Sequence, residues 1–242
     1  ISANSIDAVS DRDFLVDFIY AASICMMHLS RLAEELVIWS TEEFGFIRIG
    51  DGYTTGSSIM PQKRNPDFAE LARGKTGKIY GHLMSILTML KGIPMAYNRD
   101  LQEDKEPLFD SVDTVLATLG VMTGMLRDLK VDRKRMRDAA ESSYVLATDI
   151  ADYLVAKGLP FRDAHIVVGN LSRIAMDSQK MFNDLSLVEY KQASSMFEKD
   201  IFDLTIDLSV AARDVHGGTS PERVKGALQE ARSRLETFAK KI

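Results

Sequence analysis

The stretch "DRDFLVDFIYAASICMMHLSRLAEELVIWSTEE", residues 11–43, decides the fold class. On a helical projection Phe14, Leu15, Phe18, Ile19, Ile24, Met26, Met27, Leu29, Leu32, Leu36 and Val37 fall on nearly every face. A helix that is apolar all round belongs inside a bundle rather than on a surface. Residues 66–91 and 111–129 have a similar apolar character. The longer of these segments run to two or three times the globular mean of about 11 residues, which favours a long-helix bundle.

The breaks between them are marked by glycine and proline: Gly45, Gly50, Gly52 and Gly56 with Pro61 and Pro66, then "GIPMAYNRDLQEDKEPLFD" at 92–110. Pro66 suits the first turn of a helix, with Asn65 as its N-cap. Gly74, Gly77 and Gly81 weaken that helix but allow a neighbour to approach closely. After Lys130 the helical patterns shorten, near 132–141, 146–157, 162–180, 186–197 and 203–213, with a last one after "GGTSP". There Ser220 reads as an N-cap and Pro221 as the first helical residue. The expected architecture is all-α: a long central helical bundle over 1–133, carrying a loop at 50–66, and a small C-terminal helical domain over 134–242. No strand pattern stands out.

The 242 residues carry a net charge of −5, which argues against a general nucleic-acid binder. No uninterrupted apolar run reaches about 18 residues, so no membrane span is predicted. The single cysteine, Cys25, lies in an apolar helix. That excludes a disulfide framework and points to a reducing, cytoplasmic setting. Four scattered histidines and one cysteine make no zinc site. The chain opens on Ile1 and leads straight into a buried-type helix, which reads as the C-terminal part of something longer.

The chemistry is concentrated in "TTGSSIMPQKRNPDFAEL", residues 54–71. Gly-Ser-Ser on a mobile segment exposes hydroxyls and backbone N–H groups together, which suits an anion or a developing oxyanion. Lys63 adds a point charge and Arg64 a planar fork, so the site looks built for a carboxylate. On composition alone a solvated linker is an equally good reading.

The full motif "GSSIMPQKRNP" resembles the signature loop of the fumarase/aspartase superfamily, GSSxMPxKxNP. Fumarases and aspartases typically have Gly where this chain has Gln62. "AYNRDLQEDKEPLFD" (96–110), "VSDRDF" (9–14) and "ELARGKTGKIYG" (70–81) are similar to the argininosuccinate lyases in particular. "PFRDAH" (160–165) and "GGTSP" resemble that family's C-terminal helical domain. One departure is Arg64, where relatives often have Lys.

The resemblance implies β-elimination of argininosuccinate to arginine and fumarate, without metal or organic cofactor, as in arginine biosynthesis or the urea cycle. By the same resemblance Ser57 is the base, Lys63 stabilises the dianionic intermediate, and Glu70 pairs with a catalytic histidine. Ser58, Asn65, Tyr97, Gln102 and Lys105 bind substrate, and Arg12 faces the site. The family's catalytic histidine comes from an N-terminal region outside this sequence, so His28, His82, His165 and His216 read as structural. The implied assembly is a homotetramer with active sites shared between subunits, without nucleic acid or membrane. Adenylosuccinate lyase, a delta-crystallin-like structural protein and an assembly module are the alternatives.

Overall fold

The computed structural model describes residues 2–141 and 144–241; Ile1, Ser142, Ser143 and Ile242 lie outside the described residues. The chain divides into two compact units, Ile1–Arg135 and Met136–Ile242. Ten α-helices account for most of the described residues, in line with the all-α expectation.

In the first unit a short helix α1 (Ser5–Ser10) is capped by Asn4, whose Oδ1 accepts from the N–H groups of Ile6 and Asp7. Three long helices follow: α2 (Asp13–Trp39), α3 (Asp67–Leu90) and α4 (Lys105–Asp128). Helix α2 stops short of the expected Glu43. Ser40 and Thr41 turn their hydroxyls onto the carbonyls of Val37 and Ile38, competing with further helical bonds. Gly45 then takes φ +59°, the left-handed region that glycine enters at no steric cost. The Arg135 guanidinium covers this turn, donating to the carbonyls of Phe44 at 2.7 Å and Glu43 at 3.0 Å.

Two other boundaries correct the sequence reading. Helix α4 begins at Lys105, six residues before the expected Ser111. Pro107 is its third residue, where the missing N–H has no intrahelical partner to lose. Helix α3 begins at Asp67 with Pro66 as N-cap. Asn65, expected in that role, lies instead in a strand.

Among the described residues the strands are four, each of two residues: β1 (Ile47–Arg48), β2 (Thr55–Gly56), β3 (Arg64–Asn65) and β4 (Lys130–Val131). Both pairs, β1–β4 and β2–β3, are antiparallel. Two residues show no alternation, which is why the sequence gave no strand signal.

Helix α3 runs antiparallel to both α2 and α4. Thr76 donates to the carbonyl of Met26, and Arg73 pairs with Glu34, so α3 climbs as α2 descends. Two core clusters mark the two ends of the bundle. Ala33, Leu36, Ala69, Ala72, Met122 and Met125 join the end of α2, the start of α3 and the end of α4. Ile19, Met26, Ile79 and Ile86, with Leu108 and Val115 against them, join the opposite ends. Full burial of each such aliphatic side chain contributes about 1.5–3 kcal/mol.

By length and composition Asp13–Trp39 and Arg99–Asp128 could each cross a membrane, although neither contains an uninterrupted apolar run of about 18 residues. Their apolar faces serve the bundle, through Ile19 and Met26 in one and Met122 and Met125 in the other.

Helix α5 (Arg133–Glu141) has its first three residues in the first unit and the rest in the second, which also holds α6 (Ala147–Ala156), α7 (Phe161–Asp177), α8 (Leu187–Ala193), α9 (Ile206–Ala212) and α10 (Pro221–Ala239). The core of the second unit gathers Ile150, Leu154, Leu171, Phe182, Tyr190 and Phe197. Buried Asp149 accepts from Ser209 at 2.8 Å and Arg213 at 2.9 Å. Ser220 caps α10 through the N–H of Arg223, with Pro221 first in the helix as the sequence suggested.

Candidate active site

The signature stretch is a β-hairpin rather than a free loop. Thr55 pairs with Asn65 and Gly56 with Arg64, leaving Ser57–Lys63 as the tip. The Thr55 hydroxyl donates to Asp67 in the first turn of α3, tying the stem to the bundle. Arg64 lies 3.9 Å from Asp51, a wide, exposed pair of small energetic consequence.

At the tip, Ser57 Oγ accepts from two backbone N–H groups, those of Ile59 and Met60, each at 3.2 Å. The N–H of Lys63 donates to the carbonyl of Met60 at 3.0 Å and closes the turn. Ser58 and Lys63 are exposed, and Ser57 and Asn65 half-buried. Glu70, one turn into α3, is exposed beside Arg73. No hydrogen bond joins Glu70 to a histidine among the described residues. His82 is held by Asp110 at 2.7 Å, and Lys78 bonds the other oxygen of Asp110 at 2.6 Å. The Lys78 and His82 contacts hold the Asp110 carboxyl below the usual carboxylate range.

The other candidates collect where a 3-10 turn, Arg99–Asp104, leads into α4. Gln102 donates to the Tyr97 hydroxyl at 2.9 Å. Asp104, 4% exposed, accepts from Arg12 Nε at 2.5 Å on one oxygen and from Lys105 Nζ at 2.9 Å on the other. Burial pushes the Asp104 carboxyl up, but the bonds from Lys105 and Arg12 outweigh it and hold the group below its ordinary value. Sequence reading passed over Asp104 inside the charge run "QEDKE". The available signal was Leu101 three residues earlier, which is fully buried and shares a face with Asp104 on a turn of three residues.

The structure therefore brings Arg12, Tyr97, Gln102 and Lys105 into one segment of the fold, and Ser57, Ser58, Lys63, Asn65 and Glu70 into another. The two sets stand at opposite ends of α3. Its 24 residues span about 36 Å. A hairpin arm of about five residues reaches only about 17 Å. Within this chain the two sets do not meet.

Residues 1–81 match the family model described as Lyase, and residues 144–211 the model described as Argininosuccinate lyase C-terminal. The solved structure of EDDS lyase in complex with formate matches with a TM-score of 0.88 at 31% identity, covering 98% of this chain and 49% of its own. Class II fumarase from Schistosoma mansoni gives 0.69 at 17% identity over 84% of this chain and 40% of its own, a likeness of fold alone. Bundle and hairpin together place the chain among the fumarase/aspartase lyases.

Argininosuccinate lyases from Dehalococcoides mccartyi and Moorella thermoacetica are 55% and 56% identical, each match covering 97% of this chain and 51% of the relative. The protein from Symbiobacterium thermophilum is 58% identical over 93% of this chain and 49% of the relative. The chain belongs to the argininosuccinate lyase family. It spans about half the length of the curated relatives it matches.

Proposed function

We propose that the chain supplies the bundle and C-terminal helical unit of an argininosuccinate lyase, a carbon–nitrogen lyase that splits argininosuccinate into arginine and fumarate. The observation that carries this reading is the pair of N–H groups on Ser57 Oγ. A serine hydroxyl is a poor base until its ionised form is stabilised, and donors aimed at the oxygen do that. Ser57 then takes the proton from the carbon beside a substrate carboxylate. Lys63 and Asn65 hold the aci-carboxylate dianion that results. Its electron pair returns to form the carbon–carbon double bond as the carbon–nitrogen bond breaks, and the departing guanidino nitrogen takes a proton from a general acid. Tyr97, Gln102 and Lys105 bind the ends of the substrate, and Ser58 offers a second hydroxyl. The identity of 55% and above to argininosuccinate lyases, against 31% to EDDS lyase, favours this substrate over others of the class.

The assembly reading, a homotetramer with shared sites, rests on three features of the bundle. Its two residue sets need a second copy to meet. Phe14, Met84 and Leu116 are at least 60% exposed on α2, α3 and α4 respectively. A Cβ added at Gly74, Gly77 or Gly81 would meet nothing within 4 Å, so the neighbour that these glycines were expected to admit is not among the described residues of this chain. Obligate interfaces commonly bury about 2,000–5,000 Å2 and are largely apolar, which suits exposed faces of this kind.

Light scattering of the chain at micromolar concentration is expected to give four copies, and a stable monomer would refute the assembly. Because Glu70 has no histidine partner here, the purified chain is expected to release no fumarate by ultraviolet absorbance. Joining the chain to the half of the Moorella thermoacetica relative that it does not span should give fumarate release from argininosuccinate. Preference of that chimera for another succinyl-amine substrate, such as adenylosuccinate, would refute the substrate, and inactivity on every such substrate would favour a structural role.

A further inference from the structure

The root of the hairpin is seated on α4 by two contacts that leave no room for a side-chain carbon. A Cβ on Gly124 would lie 1.9 Å from Tyr53 Oη and 2.6 Å from its Cζ. A Cβ on Gly50 would lie 2.5 Å from Asp128 Oδ2. Tyr53 closes the 3-10 turn Asp51–Tyr53, its N–H bonded to the carbonyl of Gly50 at 2.9 Å. Its ring also meets Phe68 of α3 edge-on, with centroids 6.0 Å apart. Tyr53 thus wedges between α3 and α4 two residues before the β2–β3 stem starts. The tip beyond is held mainly by its own turn, and Ile59 there is 87% exposed.

We propose that Tyr53, seated on Gly124, is the positioning residue that sets where Ser57 and Lys63 stand relative to the bundle. The proposal rests on the reading of Ser57 as the base. Ser57 is four residues from Tyr53, an arm of up to about 14 Å in extended chain. A methyl at position 124 drives the Tyr53 hydroxyl back by about 1 Å even to reach the shortest carbon contact, and the arm transmits that shift to the tip. Misplacement of reacting groups by about 1 Å costs on the order of 100-fold in rate. The methyl does not weaken α4 itself, since alanine is the better helix former by about 0.8–1.0 kcal/mol.

The test is a double-mutant cycle in the chimeric full-length lyase: Gly124→Ala, Tyr53→Ala and the pair. Gly124→Ala is expected to lower kcat about 10- to 100-fold, with KM changed less than about threefold and the tetramer intact by light scattering. In the Tyr53→Ala background, where no ring remains to be displaced, the same methyl should change kcat less than about twofold, a non-additive cycle. Unchanged kcat in Gly124→Ala, equal losses in both backgrounds, or a loss that tracks dissociation of the tetramer would overturn the seat. If the parent chimera releases no fumarate, the lyase reading fails instead. The seat is then read by hydrogen exchange of the Gly56 and Asn65 amides, expected to quicken in Gly124→Ala; unchanged exchange would overturn it.

Discussion

Ser57→Ala in the chimeric full-length lyase is expected to lower kcat by about 100- to 10,000-fold, the range over which a positioned general base acts, while KM stays within severalfold. The substitution removes one oxygen. The β2–β3 stem, the Thr55–Asp67 bond and the Tyr53 wedge are untouched, so Lys63 and Asn65 keep their places. The N–H groups of Ile59 and Met60 turn to water, which an exposed tip allows at little cost. A loss in kcat without a matching rise in KM identifies an interaction made in the transition state. Lys105→Ala should give the opposite pattern, a raised KM, because its cation belongs to the segment proposed to hold the substrate ends. Steady-state fumarate release with argininosuccinate separates the two. Near-parental turnover in Ser57→Ala would place the base on another residue.

The bundle was legible because α2 carries apolar residues on nearly every face, although within this chain only the face of Leu15, Ile19, Met26, Ala33 and Leu36 is buried and Phe14, Phe18 and Ile24 stay exposed. The long helices α2 and α3 were read from that pattern and from the breaks at Gly45 and Pro66. Three features were hidden for distinct physical reasons. The hairpin stem is two residue pairs long, too short to alternate, so it read as a flexible loop. The early start of α4 was masked by Pro107, which stops a helix anywhere except its first turn. Asp104 looked like one charge among several in "QEDKE", because burial of a single carboxylate depends on Arg12 arriving from 92 residues away. The site was legible as a motif but not as geometry. Only the antiparallel packing of α3 against α2 and α4 shows that Ser57 and Lys105 lie at opposite ends of the bundle within one chain.

Asp104→Ala is expected to destabilise the first unit by about 3 kcal/mol, the lower end for breaking a buried ion pair by removing one partner. Asp104 is buried, and Arg12 keeps only 17% of its side chain exposed, so loss of the carboxylate strands a guanidinium with little water. Lys105, 52% exposed, can turn to solvent and suffers less. For a domain of this size the loss corresponds to a fall in Tm of roughly 6–12 °C. Acid should reproduce part of the effect. The folded carboxyl titrates below its unfolded value, so its contribution is complete above the ordinary carboxylate range of about 4 and drains as pH falls through and below it. Melting curves of the chain and of Asp104→Asn should therefore converge below about pH 4; a constant gap down to pH 3 would place the stabilisation elsewhere. Replacing both partners, as Arg12→Met with Asp104→Leu, removes the charges together and should recover most of the lost Tm, since apolar packing commonly matches a buried pair in stability. In the chimera the same double variant should still bind argininosuccinate poorly, because Arg12, itself grouped with the site residues, and the carboxylate that holds Lys105 are both gone. Recovery of both Tm and KM would show that Asp104 serves only the fold.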